Sequence, residues 1–186
     1  NGEFHYLFGN DFLVAPIHED KLERTVSLPP GRWRYLFDDR EVVTGPTQIT
    51  RDFPLDEFPV FVRDGAVIPL KVSRAYTGFG DKDSAEFTTW LIFPNGKSEF
   101  TLWQPESHPK PEATTVKVDA DSPLRIEFSG KHQPHILRIL ADAKPTGITL
   151  DNQPLPEGEA WTYDTSAQRI ISKTRDYRDG RFVISR

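Results

Sequence analysis

Polar and apolar residues alternate with a period of two along most of this chain, and the alternation breaks at turn-forming residues. That is the pattern of half-buried strands. Thr25-Val26-Ser27-Leu28 reads as a strand, Pro29-Pro30-Gly31 as a turn, and Arg32-Trp33-Arg34-Tyr35-Leu36-Phe37 as the return strand, ended by Asp38-Asp39. Gln48-Ile49-Thr50 is a further short strand. Pro59–Arg63 and Ala66–Leu70 flank Asp64-Gly65, and Thr88–Phe93 and Ser98–Trp103 flank Pro94-Asn95-Gly96-Lys97. Asp-Gly and Asn-Gly are strong hairpin signals because both residue types tolerate positive φ, so each pair of strands is expected to form a hairpin. Phe12–Ile17 is a continuous apolar run, which suits a strand buried on both faces.

Between these segments, Lys71–Glu86 is polar and reads as a connection with one strand near Arg74–Thr77, and Gln104–Ala113, with three prolines, reads as a surface loop. Beyond it, Thr114–Val118, Leu124–Phe128, Ile136–Leu140, Ile148–Leu150, Trp161–Tyr163, Arg169–Ser172 and Arg181–Ile184 keep the same rhythm. No stretch carries a long 3.6-residue apolar stripe. Strands at a spacing of roughly 8–12 residues with turn chemistry between them predict an all-β fold. The change of texture after Leu70 divides it into two β-sandwich units, residues 1–70 and 71–186.

Composition narrows the function classes. With 28 acidic and 23 basic residues the formal charge is −5, which argues against a nucleic-acid partner. No apolar run of about 18 residues is present, so no membrane partner is expected. The chain has no cysteine, which removes disulfides, thiol nucleophiles and thiolate metal sites but says nothing about compartment. It also has no methionine, not even at position 1, and Asn1-Gly2-Glu3-Phe4 reads as mid-protein sequence. A piece of a longer polypeptide is therefore expected.

Catalytic constellations are scarce. There is no Gly-x-Ser-x-Gly turn for a nucleophilic serine and no phosphate-cradling glycine loop. His132 and His135, at i and i+3, are the only closely spaced histidines; they are read as polar imidazoles on an exposed loop, with no metal and no cofactor expected. Asp38-Asp39 and Asp56-Glu57 are adjacent carboxylates. Neighbours on a strand point to opposite faces, so neither pair makes an acid dyad. The four tryptophans, Trp33, Trp90, Trp103 and Trp161, are candidate carbohydrate-stacking residues. Trp90 and Trp103, on two strands of one expected hairpin, are read first as a pair packed in the core. Arg32 and Arg34 flank Trp33, and their stacking on the indole is an alternative to sugar binding there.

Three segments resemble glycoside hydrolase family 31, the α-glucosidase and α-xylosidase family. They are Tyr6–Ile17, similar to a signature just after the catalytic barrel; Leu28-Pro29-Pro30-Gly31-Arg32-Trp33, similar to a Pro-Gly-Trp turn; and Pro54–Leu70, the most specific. The resemblance implies a proximal C-terminal β-sandwich, with an end-of-barrel segment, over residues 1–70 and a distal C-terminal sandwich over 71–186. It implies a catalytic (β/α)8 barrel as partner, a retaining mechanism, and two catalytic aspartates upstream of Tyr6. No residue here inherits either role, so this chain should be inactive alone and should serve to support the barrel. The alternative is a carbohydrate-binding module that takes oligosaccharide through exposed aromatics. Where many members carry a Tyr-Glu-Asp-Asp-Gly-like run, this chain has Leu102-Trp103-Gln104-Pro105-Glu106-Ser107, which leaves the subfamily open. Phe12, Leu13 and Val14 are expected to form an apolar patch facing the barrel.

Overall fold

A computed structural model describes residues 4–70, 87–105, 110–131, 133–177 and 179–186. The segment around Arg74–Thr77, Gly78-Phe79-Gly80 and His132 lie outside the described residues. All regular elements among the described residues are strands, as the alternation predicts. The chain divides into two compact units, Asn1–Ala66 and Val67–Arg186.

The first unit is one antiparallel sheet of five strands: β1 (Tyr6–Phe8), β2 (Phe12–Val14), β3 (Glu23–Tyr35), β4 (Asp38–Asp52) and β5 (Val60–Arg63), in the order β1-β2-β5-β3-β4. Its length is concentrated in the β3–β4 ribbon. The predicted turn at Pro29-Pro30-Gly31 is not a turn. It is a bulge inside β3, and the chain reverses instead between Tyr35 and Asp38. Leu28 pairs with Thr47 and Gly31 with Gly45, so β3 advances three residues while β4 advances two. The extra residue shifts the inward phase from Val26 and Leu28 to Trp33 and Tyr35, which keeps one face of the ribbon apolar. Those four side chains form one buried cluster with Leu13, Ala15, Phe53 and Phe61. The bulge is tied by Trp33 Nε1, which donates to Pro29 O at 2.9 Å. It also needs a glycine opposite, because a Cβ on Gly45 would lie 2.1 Å from Pro29 O.

The second unit is a two-sheet sandwich. One sheet holds β6 (Val67–Leu70), β7 (Thr88–Ile92), β11 (Gln133–Leu140), β14 (Trp161–Asp164) and β15 (Arg169–Tyr177), in the order β14-β15-β11-β7-β6. The other holds β8 (Lys97–Gln104), β9 (Glu112–Asp119), β10 (Leu124–Gly130), β12 (Gly147–Leu150), β13 (Gln153–Pro154) and β16 (Gly180–Ser185), in the order β13-β12-β16-β10-β9-β8. Trp90, Ile92, Leu137, Ile139, Trp161 and Ile170 from the first sheet close on Val116, Val118, Ile126, Phe128, Phe182 and Ile184 from the second. Burying side chains of this size supplies the main stabilisation, about 1.5–3 kcal/mol each.

Neither expected hairpin at Asp64-Gly65 and Asn95-Gly96 forms. β5 pairs with β2 and β3, whereas β6 pairs with β7; β7 then pairs in parallel with β11, whereas β8 pairs with β9. Both turns hand the chain from one sheet to another. Val67–Leu70, grouped by sequence with residues 1–70, thus adds a strand to the second unit.

Candidate functional site

In the first unit the polar chemistry gathers around Asp64. Its side chain is 3% exposed and accepts from Arg32 Nε at 2.9 Å and from Arg34 Nε. Arg34, itself buried, also donates to the carbonyls of Asp39 at 2.7 Å and Arg40 at 3.2 Å. The cluster is closed on itself and fastens the Asp64-Gly65 turn to β3, helped by Asp64 N donating to Arg32 O. Arg32 and Arg34 therefore do not cover Trp33; Arg63 does, its guanidinium 4.9 Å from the ring centroid. Beside it, Tyr35 Oη donates to Glu57 Oε2 beneath the Arg51 guanidinium, which lies 4.4 Å from the Tyr35 ring centroid. Burial first, then the bond to Glu57, pushes the Tyr35 hydroxyl far above the usual phenol range.

The adjacent carboxylates behave as their positions predict. Asp38 is exposed and paired with Arg40, which lowers its carboxyl below the ordinary range, while its neighbour Asp39 is buried. Asp56-Glu57 lies in the turn after β4, with Glu57 engaged by Tyr35. Burial raises the Asp11 carboxyl, and the nearby Arg63 charge opposes this. Among the described residues, no group of three or more His, Asp or Glu is arranged to hold a metal.

His135 corrects the sequence reading. It is not on an exposed loop but buried on β11, where Trp90 Nε1 donates to its Nδ1 at 3.0 Å and the Phe128 ring lies 4.8 Å away.

The four tryptophans separate cleanly. Trp33, Trp90 and Trp161 are 0%, 0% and 4% exposed, so as sugar-stacking residues they are excluded by burial. Trp33 belongs to the first core, and Trp90 and Trp161 to the second. Trp103 is 69% exposed on β8 and does not pack with Trp90, because it lies on the outward face of β8 while Phe100, on the inward face, meets the Trp90 ring at 6.4 Å. Its phase along the strand is that of Lys97, Glu99 and Thr101, all facing outward, whereas Phe100 and Leu102 pack against the core.

That outward face has a regular pattern. Lys97, Asp119 and Arg125 form one cross-strand row; Glu99, Lys117, Glu127 and Arg181 form the next. Charges alternate in sign along both rows, with ion pairs Lys97–Asp119 and Lys117–Glu99 at 3.6 Å and Arg181–Glu127 at 2.7 Å. A third row is hydroxylic: Thr101, Thr115 and Ser129, with the two threonine oxygens 2.9 Å apart. Trp103 ends the series opposite Ala113. A shallow depression of about 400 Å³ lies over the charged rows, lined by Lys97, Glu99, Lys117, Asp119, Arg125 and Glu127.

A third exposed feature is apolar. Tyr6, Leu7 and Phe8 are each more than half exposed on the edge strand β1, whereas Leu13 and Val14 are buried and Phe12 is half-buried. The expected patch on Phe12–Val14 thus moves one strand outward, because β2 is flanked on both sides and β1 is not.

The chain is similar to known proteins in sequence and in fold. Residues 2–68 match the glycosyl hydrolase family 31 C-terminal domain. The chain is 32% identical over 91 residues to an alpha-glucosidase of Saccharolobus solfataricus, covering 47% of this chain and 13% of that protein. It is 36% identical over 66 residues to an alpha-xylosidase of the same organism, covering 35% and 9%. It therefore spans only a small part of the relatives it matches. Among solved structures, a Flavobacterium johnsoniae family 31 dextranase complexed with glucose superposes with a TM-score of 0.85 at 22% identity, covering 98% of this chain and 26% of that one. A cycloalternan-forming enzyme from Listeria monocytogenes, in complex with a pentasaccharide substrate, gives 0.81 at 23% identity, covering 97% and 18%. The fold is shared with about a quarter or less of each of these solved chains.

Proposed function

We propose, from the match of residues 2–68 to the glycosyl hydrolase family 31 C-terminal domain, that the chain is the non-catalytic β-sandwich region of a retaining α-glycosidase and supports its catalytic (β/α)8 barrel. The proximal domain would comprise the first unit and the distal domain the second, and the parent would hydrolyse an α-linked O-glycosyl bond. The observation that carries this reading is the apolar edge strand β1 inside the matched segment, with Tyr6 and Phe8 exposed on one face and Leu7 on the other. Contiguous exposed apolar side chains mark surfaces meant to be covered. The acidic groups described above support it as well, since Asp64, Asp38 and Glu57 are each engaged by Arg or Tyr partners within the chain.

The purified chain, assayed with p-nitrophenyl α-glucoside and α-xyloside, should give no turnover above the blank; turnover would overturn the reading. The double variant Leu7→Lys, Phe8→Lys should leave the stability of the chain within about 0.5 kcal/mol. A much larger loss would place those side chains in the chain's own core and remove the supporting surface.

A further inference from the structure

We propose that the outward face of β8, β9 and β10 binds a neutral linear oligosaccharide, with Trp103 as the stacking residue. An exposed indole offers a flat apolar face to the C–H side of a pyranose. Here it is open because its cross-strand neighbour is Ala113, the smallest side chain able to occupy a strand position without glycine's freedom. From Trp103 the alternate residues Thr101, Glu99 and Lys97 lead away along β8 at about 6.8 Å per step, which gives a track of ~20 Å. The first step reaches the hydroxyl row of Thr101, Thr115 and Ser129. The next two reach the depression and its carboxylates, ammoniums and guanidiniums. All three rows can donate to and accept from sugar hydroxyls.

The charge pattern selects the ligand class. Each acidic group on the face has a basic neighbour across the strand, and the ion pairs Lys97–Asp119, Lys117–Glu99 and Arg181–Glu127 are formed within the face. The opposing charges nearly cancel, so neither a polyanion nor a polycation meets a complementary field. A neutral polyol meets hydrogen-bonding groups held in register by the sheet.

The proposal does not rest on the supporting role assigned above. A chain that binds no sugar and hydrolyses nothing sinks only this inference, and a chain that binds and hydrolyses sinks only the other.

The test is titration of the whole chain with isomaltotriose and with maltopentaose, followed by calorimetry and tryptophan emission. Trp103 is the exposed tryptophan among four, the other three being buried, so contact with sugar should shift the red edge of the emission. Saturable binding to at least one sugar is expected. Trp103→Ala should weaken it about tenfold, Trp103→Phe less, and Thr115→Val about threefold or more. No saturable response to either sugar overturns the proposal, as does undiminished binding by Trp103→Ala. Preference for an acidic polysaccharide such as polygalacturonate would overturn the neutral ligand.

Discussion

Trp90 donates its indole N–H to Nδ1 of His135 across the β7–β11 pair, with both residues buried. An indole N–H can only donate, so Nδ1 must be the accepting nitrogen and a neutral imidazole carries its proton on Nε2. Nitrogen-15 spectra of His135 should show that tautomer. Trp90→Phe should cost more than the lost packing alone, by about 1–3 kcal/mol, because a buried acceptor loses its donor. A purely packing-sized loss in urea unfolding would contradict this.

Asp64 neutralises Arg34 inside the first unit. Asp64→Ala leaves a buried guanidinium without its counter-ion, and a loss of about 3–5 kcal/mol is expected. Adding Arg34→Met should recover much of that loss, since the stranded charge goes with it. Chemical denaturation of the two variants checks both, and additive losses would rule out the pairing as the cause.

Tyr35 should govern the alkaline limb of stability. Burial and Glu57 hold the proton on its hydroxyl in the folded chain. Once pH passes about 10, where an unfolded tyrosine ionises, the folded chain keeps more protons than the unfolded one. Stability is therefore full below that pH and falls above it. Melting temperatures measured between about pH 8 and pH 11.5 should bend downward in the unsubstituted chain, and Tyr35→Phe should flatten the bend while lowering the plateau.

Two glycines should resist substitution for backbone reasons. A Cβ on Gly45 would meet Pro29 O at 2.1 Å, and one on Gly130 would meet Ala113 O at 2.1 Å with φ at +111°. Alanine at either position should destabilise by about 1–3 kcal/mol or more, whereas Gly96→Ala, with open space around it, should cost only the strain of its positive φ. Thermal unfolding of the three variants gives the ranking.

Strand positions were legible from sequence because the period-two pattern is local. Their pairing was not. Asp64-Gly65 and Asn95-Gly96 specify chain reversal, but whether two strands then share a sheet depends on which apolar faces they must bury, and that is settled by residues far away in sequence. Trp103, read from sequence as a core partner of Trp90, carried a local signal against that reading: its phase with Lys97, Glu99 and Thr101 marks it as outward. His135 carried the same signal, since the alternation of Leu137 and Ile139 continued two residues back reaches it. Reading the two histidines as a spaced pair hid that phase. The Arg34–Asp64 cluster had no local signature, because its partners lie 30 residues apart.

The single additional residue at the Pro29–Gly31 bulge acts as a parity switch for the whole ribbon. Removing one residue there would let β3 advance two residues against the two of β4, so the bulge would vanish while the Trp33 indole and the Tyr35 phenol kept their inward phase. A one-residue deletion at the bulge should therefore be tolerated better than one elsewhere in the ribbon, where it would invert the phase of every residue beyond it.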